Sequence, residues 1–317
     1  VNRSEREQSG RTVLDGGVAS DVAIVKDAAG REVVVKEALP RLKVAADWRC
    51  DPARSSLEVE ALHVAAELLG PSAVPRVFWV DAEHHRFGME RITPILTNWQ
   101  VELSAGCVSL ETAARAGELL ALLHVRSAQH PDLATRFANR AYFETLRIEP
   151  FFIRSTLKNP QAGPAIDRVV QMLRAPGTAL VHGDYSPKNL LARDSQVVVL
   201  DWEVVHWGDP RFDIAFCISH LLLTGLRQGV LPHPFRAASL AFFEAYAKQG
   251  QVSAADTELG ALIGCLALAR VDGDSPVNYL GELNIEEVRR MALDLIMRPV
   301  RSFPEVILDS FSRRRRT

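Results

Sequence analysis

The stretch Val181-His182-Gly183-Asp184-Tyr185-Ser186-Pro187-Lys188-Asn189, with the run Val197-Val198-Val199-Leu200-Asp201-Trp202-Glu203 that follows it, constrains this chain more than any other segment. An aspartate stands five residues before an asparagine on a loop bearing glycine and proline. The loop leads into an apolar, β-branched strand that ends in a second acid. Side chains alternate along extended backbone, so Glu203 falls on the same side as Asp201. One such acid alone reads as a helix cap or a turn. Four polar residues at this joint spacing point instead to a site that holds a cation and handles a hydroxyl proton.

Composition limits what surrounds that loop. A length of 317 residues allows one very large domain or two ordinary ones. The hydrophobic fraction of 47% and charged fraction of 24% suit a soluble globular protein. A formal net charge of -2 supplies no strong field for nucleic acid. Cys50, Cys107, Cys217 and Cys265 are scattered without metal or redox spacing, which fits a reduced, cytoplasmic setting. The longest apolar run, Ala261 to Ala269, suits a buried helix better than a membrane span. Arg3, Glu5, Arg6 and Glu7 open the chain in place of a signal peptide. The run Arg313-Arg314-Arg315-Arg316 reads as a solvated tail.

Two regimes follow along the chain. Residues 1–92 read as a β-rich lobe and 93–317 as a larger helical one, with a hinge near Arg91 to Pro94. In the first, β-branched runs at Asp21–Val25 and Glu32–Lys36 flank a hairpin connection, and strands follow at Arg76–Val80 and Arg86–Glu90. Between them, apolar positions three and four apart predict a helix from Ser55 to Leu69, stopped by Gly70-Pro71. Later helices are expected at Ser109–His124, Ile166–Leu173, Pro210–Thr224, Phe235–Gln249, Thr257–Arg270 and Ile285–Met297.

The residue chemistry suits phosphoryl transfer from ATP in a cleft between two lobes. Lys36 ends a run of valines and can present a point charge to phosphate oxygens. Its partner acid comes from the next helix, Glu58 by preference and Glu60 as second choice. Gly16-Gly17 can let backbone close over phosphates, although a double glycine is more often only a turn. No P-loop is present. Asp184 is placed, on an exposed loop, as general base. Asn189 and Asp201 offer oxygens to Mg²⁺, and Glu203 a further ligand. His182 reads as a brace for the loop, and Asp213 as an acceptor for that loop's backbone N–H groups.

With His182-Gly183-Asp184, Asn189, Asp201 and Gly208-Asp209-Pro210 with Asp213 in view, the chain resembles the aminoglycoside phosphotransferase and choline kinase-like enzymes. The resemblance implies a protein-kinase-like, two-lobe α+β fold. It makes Lys36 and Glu58 the phosphate-anchoring pair, Asp184 the base, and Asn189 with Asp201 the magnesium ligands. It also makes Gly88-Met89-Glu90-Arg91-Ile92 the hinge that meets adenine, with Glu90 and Ile92 as cofactor-binding positions. Within that group the chain is most similar to methylthioribose kinases, through Val35-Lys36-Glu37-Ala38-Leu39-Pro40, the acid pair Asp201 and Glu203, and Trp99. It departs from them in Tyr185-Ser186-Pro187-Lys188-Asn189, and in having only Arg270 where they carry paired arginines.

The leading expectation is therefore a Mg²⁺- and ATP-dependent kinase acting on a hydroxyl of a small molecule, a sugar or thiosugar metabolite first and an antibiotic second. Arg270, Asp272, Tyr185 and Trp207, on loops facing Asp184, are expected to wall the acceptor. The expected partners are that acceptor and at most a second copy of the chain, with no nucleic acid and no membrane. A silent nucleotide-binding regulator and an arginine-tail RNA or membrane binder are the competing classes.

Overall fold

β-branched runs and one tight turn build the first sheet. The computed structural model describes residues 5–8, 11–14, 18–44, 47–92, 95–228, 233–298 and 302–312. Strands β1 (Glu5–Gln8), β2 (Arg11–Leu14), β3 (Ser20–Lys26), β4 (Glu32–Ala38), β5 (Val77–Asp81) and β6 (Arg86–Glu90) form one antiparallel sheet in the order β1-β2-β3-β4-β6-β5. The β3–β4 hairpin closes because the Asp27 carboxylate accepts the N–H groups of Ala29 (3.0 Å) and Arg31 (2.9 Å), while Gly30 takes the left-handed φ of 77°. Helix α1 (Arg54–Leu69) follows β4 and buries Ala61, Leu62, Ala65 and Leu68; Gly70 ends it at φ 96°.

Helices dominate the remainder: α2 (Trp99–Ser104), α3 (Leu110–Ser127), α4 (Pro131–Arg136), α5 (Ala141–Phe143), α6 (Arg154–Lys158), α7 (Gly163–Arg174), α8 (Arg211–Arg227), α9 (His233–Ala247), α10 (Glu258–Asp272), α11 (Ile285–Met297) and α12 (Phe303–Ser312). Ser109 caps α3 by accepting the Thr112 N–H at 3.1 Å. Between α5 and α6, Glu144–Ile153 winds as a π-helix that holds Pro150. No helix is expected there from the sequence, since proline removes a helical donor and obscures the period. Two ribbons interrupt the helices. One pairs β8 (Ala179–Val181) with β11 (His206–Gly208), and the other sets β9 (Leu190–Arg193) between β7 (Thr97–Asn98) and β10 (Gln196–Val199). They hold the Asp184 loop between β8 and β9, and Asp201 just beyond β10.

One continuous core runs from α1 through α3 and α8 to α11. A smaller cluster of Val22, Ile24 and Val34, with Leu14 and Met89 against it, lies on the sheet. Val22 is the cross-strand partner of Lys36, so this apolar patch shares the face that carries the lysine. Gly16, Gly17, the hinge residues Thr93 and Pro94, and the arginine run at 313–316 lie outside the described residues. No described helix is long and apolar enough to cross a membrane.

Candidate active site

Lys36 lies within β4, two residues before its end, and is buried. Its ammonium meets Glu58 Oε1 at 2.7 Å and also contacts the Asp201 carboxylate. Burial opposes that charge, yet Asp201, Glu58 and Glu203 outweigh it and raise Lys36 above the ordinary lysine range. Glu58 Oε1 also accepts the Trp202 N–H at 3.2 Å, tying α1 to the Asp201 segment. Burial lifts the Glu58 carboxyl to about 7 against the pull of Lys36, and Asp201 and Glu203 add to the rise. Glu60 points elsewhere and pairs with Arg136 at 2.8 Å on the surface.

The loop after β8 is held from below. Asp213, in the first turn of α8, accepts the N–H groups of His182 (2.7 Å) and Gly183 (2.9 Å). Gly183 adopts φ 78°, and a Cβ there would come within 2.5 Å of Val204 O. His182 is fully buried; its Nδ1 accepts the Asp184 N–H at 3.1 Å, so Nε2 carries the proton toward Leu200 O at 3.0 Å. Burial lowers its basicity, which keeps it a neutral brace.

Asp184 differs from expectation in one respect: the loop does not expose it, and only 4% of the residue is accessible. Its two oxygens have different partners. Oδ2 accepts from Asn189 Nδ2 at 2.7 Å and meets Lys188 Nζ at 2.8 Å. Oδ1 has an ionic contact with Arg147 Nη2 at 2.9 Å but no hydrogen-bond donor among the described residues. Burial pushes this carboxyl up, but Lys188 and Arg147 prevail and hold it well below the usual carboxylate range. The Asn189 amide nitrogen is committed to Asp184, which leaves the amide oxygen for a cation.

Asp201 takes the left-handed φ of 67° after β10. Burial raises its carboxyl, Lys36 lowers it, and the lowering wins. Carboxylate oxygens of Glu58, Asp201 and Glu203 lie within 4.8 Å of one another. This all-oxygen donor set fits a hard divalent cation. Glu203 is itself bound by Arg54 Nε at 3.1 Å. The wholly buried Arg54 also donates to Cys50 O, Asp51 O, Leu39 O and, through Nη2, Ala19 O. It thus connects the β3 and β4 ends to the Asp201 segment.

Glu90 closes β6, where its N–H bonds Arg76 O at 2.8 Å; Ile92 follows just beyond the strand. Arg270 lies on the last turn of α10, not on a loop, and donates from Nη1 to Ser275 Oγ at 3.0 Å. Three expected acceptor-site residues are engaged elsewhere. Tyr185 is buried, with its hydroxyl donating to Ala116 O at 2.7 Å. Trp207 donates from Nε1 to Gly177 O at 2.9 Å within β11. Asp272 is gripped by Arg289 through two contacts of 2.7 and 2.8 Å and accepts from Asn159 Nδ2. Burial and saturation account for all three. Arg54 and Arg147 were not singled out from the sequence, because no local pattern marks an arginine whose partner lies far along the chain.

The sequence matches the phosphotransferase enzyme family over residues 10–251. It is similar to a methylthioribose kinase of Escherichia coli O45:K1 (strain S88 / ExPEC), 25% identical over 239 residues that cover 67% of this chain and 56% of that protein. The chain spans about half the length of the curated relatives it matches. Among solved structures, an amicoumacin kinase in complex with AMP-PNP, Ca²⁺ and Ami aligns with a TM-score of 0.57 at 11% identity, over 92% of this chain and 90% of that one. A putative fructosamine-3-kinase from Thermobifida fusca YX-ER1 aligns with a TM-score of 0.50 at 18% identity, over 97% and 95% of the two chains. At such identities the likeness is one of fold, the two-lobe α+β, protein-kinase-like arrangement.

Proposed function

The chain belongs to the phosphotransferase enzyme family, and from that premise we propose that it transfers the γ-phosphoryl group of ATP to a hydroxyl of a small molecule. The observation that carries this reading is the asymmetry of Asp184. Oδ2 is saturated by Asn189 and Lys188, whereas buried Oδ1 has only the ionic contact with Arg147, without hydrogen-bond geometry, and can accept a hydrogen bond from an incoming hydroxyl. The hydroxyl oxygen bonds to the γ-phosphorus, the bond from that phosphorus to the β-bridging oxygen breaks, and ADP leaves. The hydroxyl proton passes to Asp184 Oδ1. A carboxylate of such low basicity is a weak proton acceptor. It suits a loose phosphoryl-transfer transition state, in which the hydroxyl needs orienting more than early deprotonation.

Lys36, held by Glu58, faces the phosphates, and the Val22–Ile24–Val34 patch beside it offers an apolar surface to the adenine. Asn189 Oδ1 and Asp201 would hold Mg²⁺, with Glu203 at its edge under the grip of Arg54. The cation, when bound, neutralises phosphate charge. The lobes divide near residue 92, with Glu90 and Ile92 as the adenine hinge.

Acceptor charge separates the two acceptor classes. An aminoglycoside is a polycation and calls for free carboxylates. Asp272 and Glu286 are paired with Arg289, Asp274 with Arg154 and Glu282 with Arg227. That neutralisation favours a metabolite, and the relative named a methylthioribose kinase agrees with it. The test is ADP release with Mg²⁺ and ATP against methylthioribose, other pentoses, choline, homoserine, an aminoglycoside and a macrolide, with Asp184→Asn as the blank. Stimulation that the substitution abolishes supports the reading. ATP binding without any turnover would favour a silent regulator, and absence of ATP binding would defeat the kinase reading.

A further inference from the structure

Beside Asp184 lies a group of cations that phosphate anchoring leaves unused. Arg147 and Arg270 place their guanidinium carbons 5.4 Å from the same ring, Phe151, on opposite stretches of chain. Phe151 stacks on Phe216 at 5.9 Å, and His220 lies 5.1 Å beyond on the Phe216 ring. Arg147 has Asp184 as counter-ion. Arg270 has no carboxylate in contact among the described residues; its Nη1 bonds the neutral Ser275 Oγ, and its Nε is buried without any partner. His220 Nε2 is likewise buried and unpartnered. Arg270 is 9% exposed and His220 3%, so water offers little compensation to either.

Arg147 and Lys188 both pair with the Asp184 carboxylate, whereas Arg270, on the ring it shares with Arg147, has no carboxylate of its own in contact among the described residues. A buried, uncompensated guanidinium is costly, and burial accordingly lowers Arg270 to about 10 although Asp184 works to raise it. Burial, with Arg270 and Lys188 adding, depresses His220 well below the histidine range, so its imidazole is neutral and one ring nitrogen remains a donor. Arg270 shares the Phe151 ring with Arg147, which pairs with Asp184, whereas Lys36 pairs with Glu58 and Asp201. Arg270 therefore belongs with the base and the acceptor, not with the nucleotide phosphates.

We propose that Arg270, with His220 beside it, receives an oxyanion carried by the phosphate acceptor, so that the substrate is an acidic hydroxyl compound bearing a carboxylate or a phosphate. The inference rests on the phosphotransferase reading above and sets the acceptor apart from methylthioribose, which carries no such group. A planar guanidinium with Nε and an Nη edge available matches the two oxygens of such a group. The anion would complete the charge balance around Asp184 and fix the hydroxyl relative to Oδ1. Substituent charge, and not sugar identity, is then the first determinant of specificity.

The test uses the full chain with Mg²⁺ and compounds matched except in charge: glycerate and glycerol phosphate against glycerol. ADP release gives KM for acceptor and for ATP in the wild type, Arg270→Gln and Arg270→Lys. The acidic members should stimulate release where glycerol does not. Their KM should rise at least about tenfold in Arg270→Gln and recover in part with lysine, while KM for ATP stays unchanged. The relative effect of glycerate and glycerol phosphate tells carboxylate from phosphate recognition. A rise in the KM for ATP, with acceptor preference kept, would assign Arg270 to the nucleotide and overturn the proposal. Melting temperature in MgADP with glycerate, glycerol phosphate or malonate provides a readout independent of turnover. Stabilisation of the wild type and not of Arg270→Gln supports the anion site even if no ADP is released, in which case only the phosphotransferase reading fails. Equal response of the two proteins, or none to any acid, overturns the site.

Discussion

Asp184 and Lys36 are each defined by partners that a single substitution can remove. Asp184→Asn keeps the size and the Asn189 contact but abolishes the proton acceptor. It should lower kcat by roughly 10²–10⁴-fold while ATP still raises the melting temperature, which a paired kinetic and thermal measurement resolves. Glu58 and Glu60 provide a second contrast within one helix. Glu58→Gln leaves the buried Lys36 with Asp201 as its remaining counter-ion and should cost about 1–3 kcal/mol, together with weaker ATP binding. Glu60→Gln breaks only a surface pair and should stay within about 1 kcal/mol. Urea midpoints decide between them, and equal losses would mean that Lys36 does not depend on α1.

Whole elements approach one another more closely than ordinary side chains allow. In α3, a Cβ at Gly117 would stand 2.0 Å from Phe242 O of α9. Backbone cannot yield as a flexible side chain can, so Gly117→Ala should separate the helices and cost about 1–3 kcal/mol, read as a lower denaturation midpoint. A variant as stable as wild type would show that α9 shifts freely. The β8–α8 junction is a different kind of joint, made by charge. Asp213→Ala would orphan two buried N–H groups, at about 1–3 kcal/mol each, and release the loop that holds Asp184. Its stability and its kcat should therefore fall together, unlike those of Gly117→Ala.

At the scale of the molecule, buried histidines govern the response to acid. His206 stacks on Phe143 at 4.1 Å, and burial lowers its pKa from 6.5 to about 4. The unfolded chain binds that proton first as pH falls. The contribution of neutral His206 is complete above pH 6.5 and is lost progressively down to about pH 4, reaching roughly 3 kcal/mol. Buried His182 and His220 act in the same sense. Glu58 opposes them, since its raised carboxyl makes the folded state the better proton binder between about 7 and 4.5. Comparing wild type with His206→Phe isolates the histidine: urea stability of the variant should depend less on pH across that window, and identical slopes would refute the assignment. Asp184 and Asp201, held low, give stability that is complete above the ordinary carboxylate range and is lost progressively as pH falls through that range toward their lowered values.

The sequence by itself determined whatever depends on neighbours along the chain. Asp184 and Asn189 sit on one loop, Asp201 lies one short strand away, and the β3–β4 hairpin and α1 follow from turn chemistry and helical period, so the α+β class and the loop's residues were legible. The Asp213 contact with that loop was also readable, because an acid at the start of an apolar helix has an obvious use. Only the tertiary structure decided which acid faces Lys36, since that depends on the rotation of α1 against the sheet. Arg147 reaches Asp184, and Arg54 reaches Glu203, across intervals that carry no periodic signal. Tyr185, Trp207 and Asp272 had the right chemistry for an acceptor wall, yet packing buried or saturated each of them. Spacing records the bonds a segment makes with itself, whereas desolvation and long-range pairing are set only when distant segments close on one another.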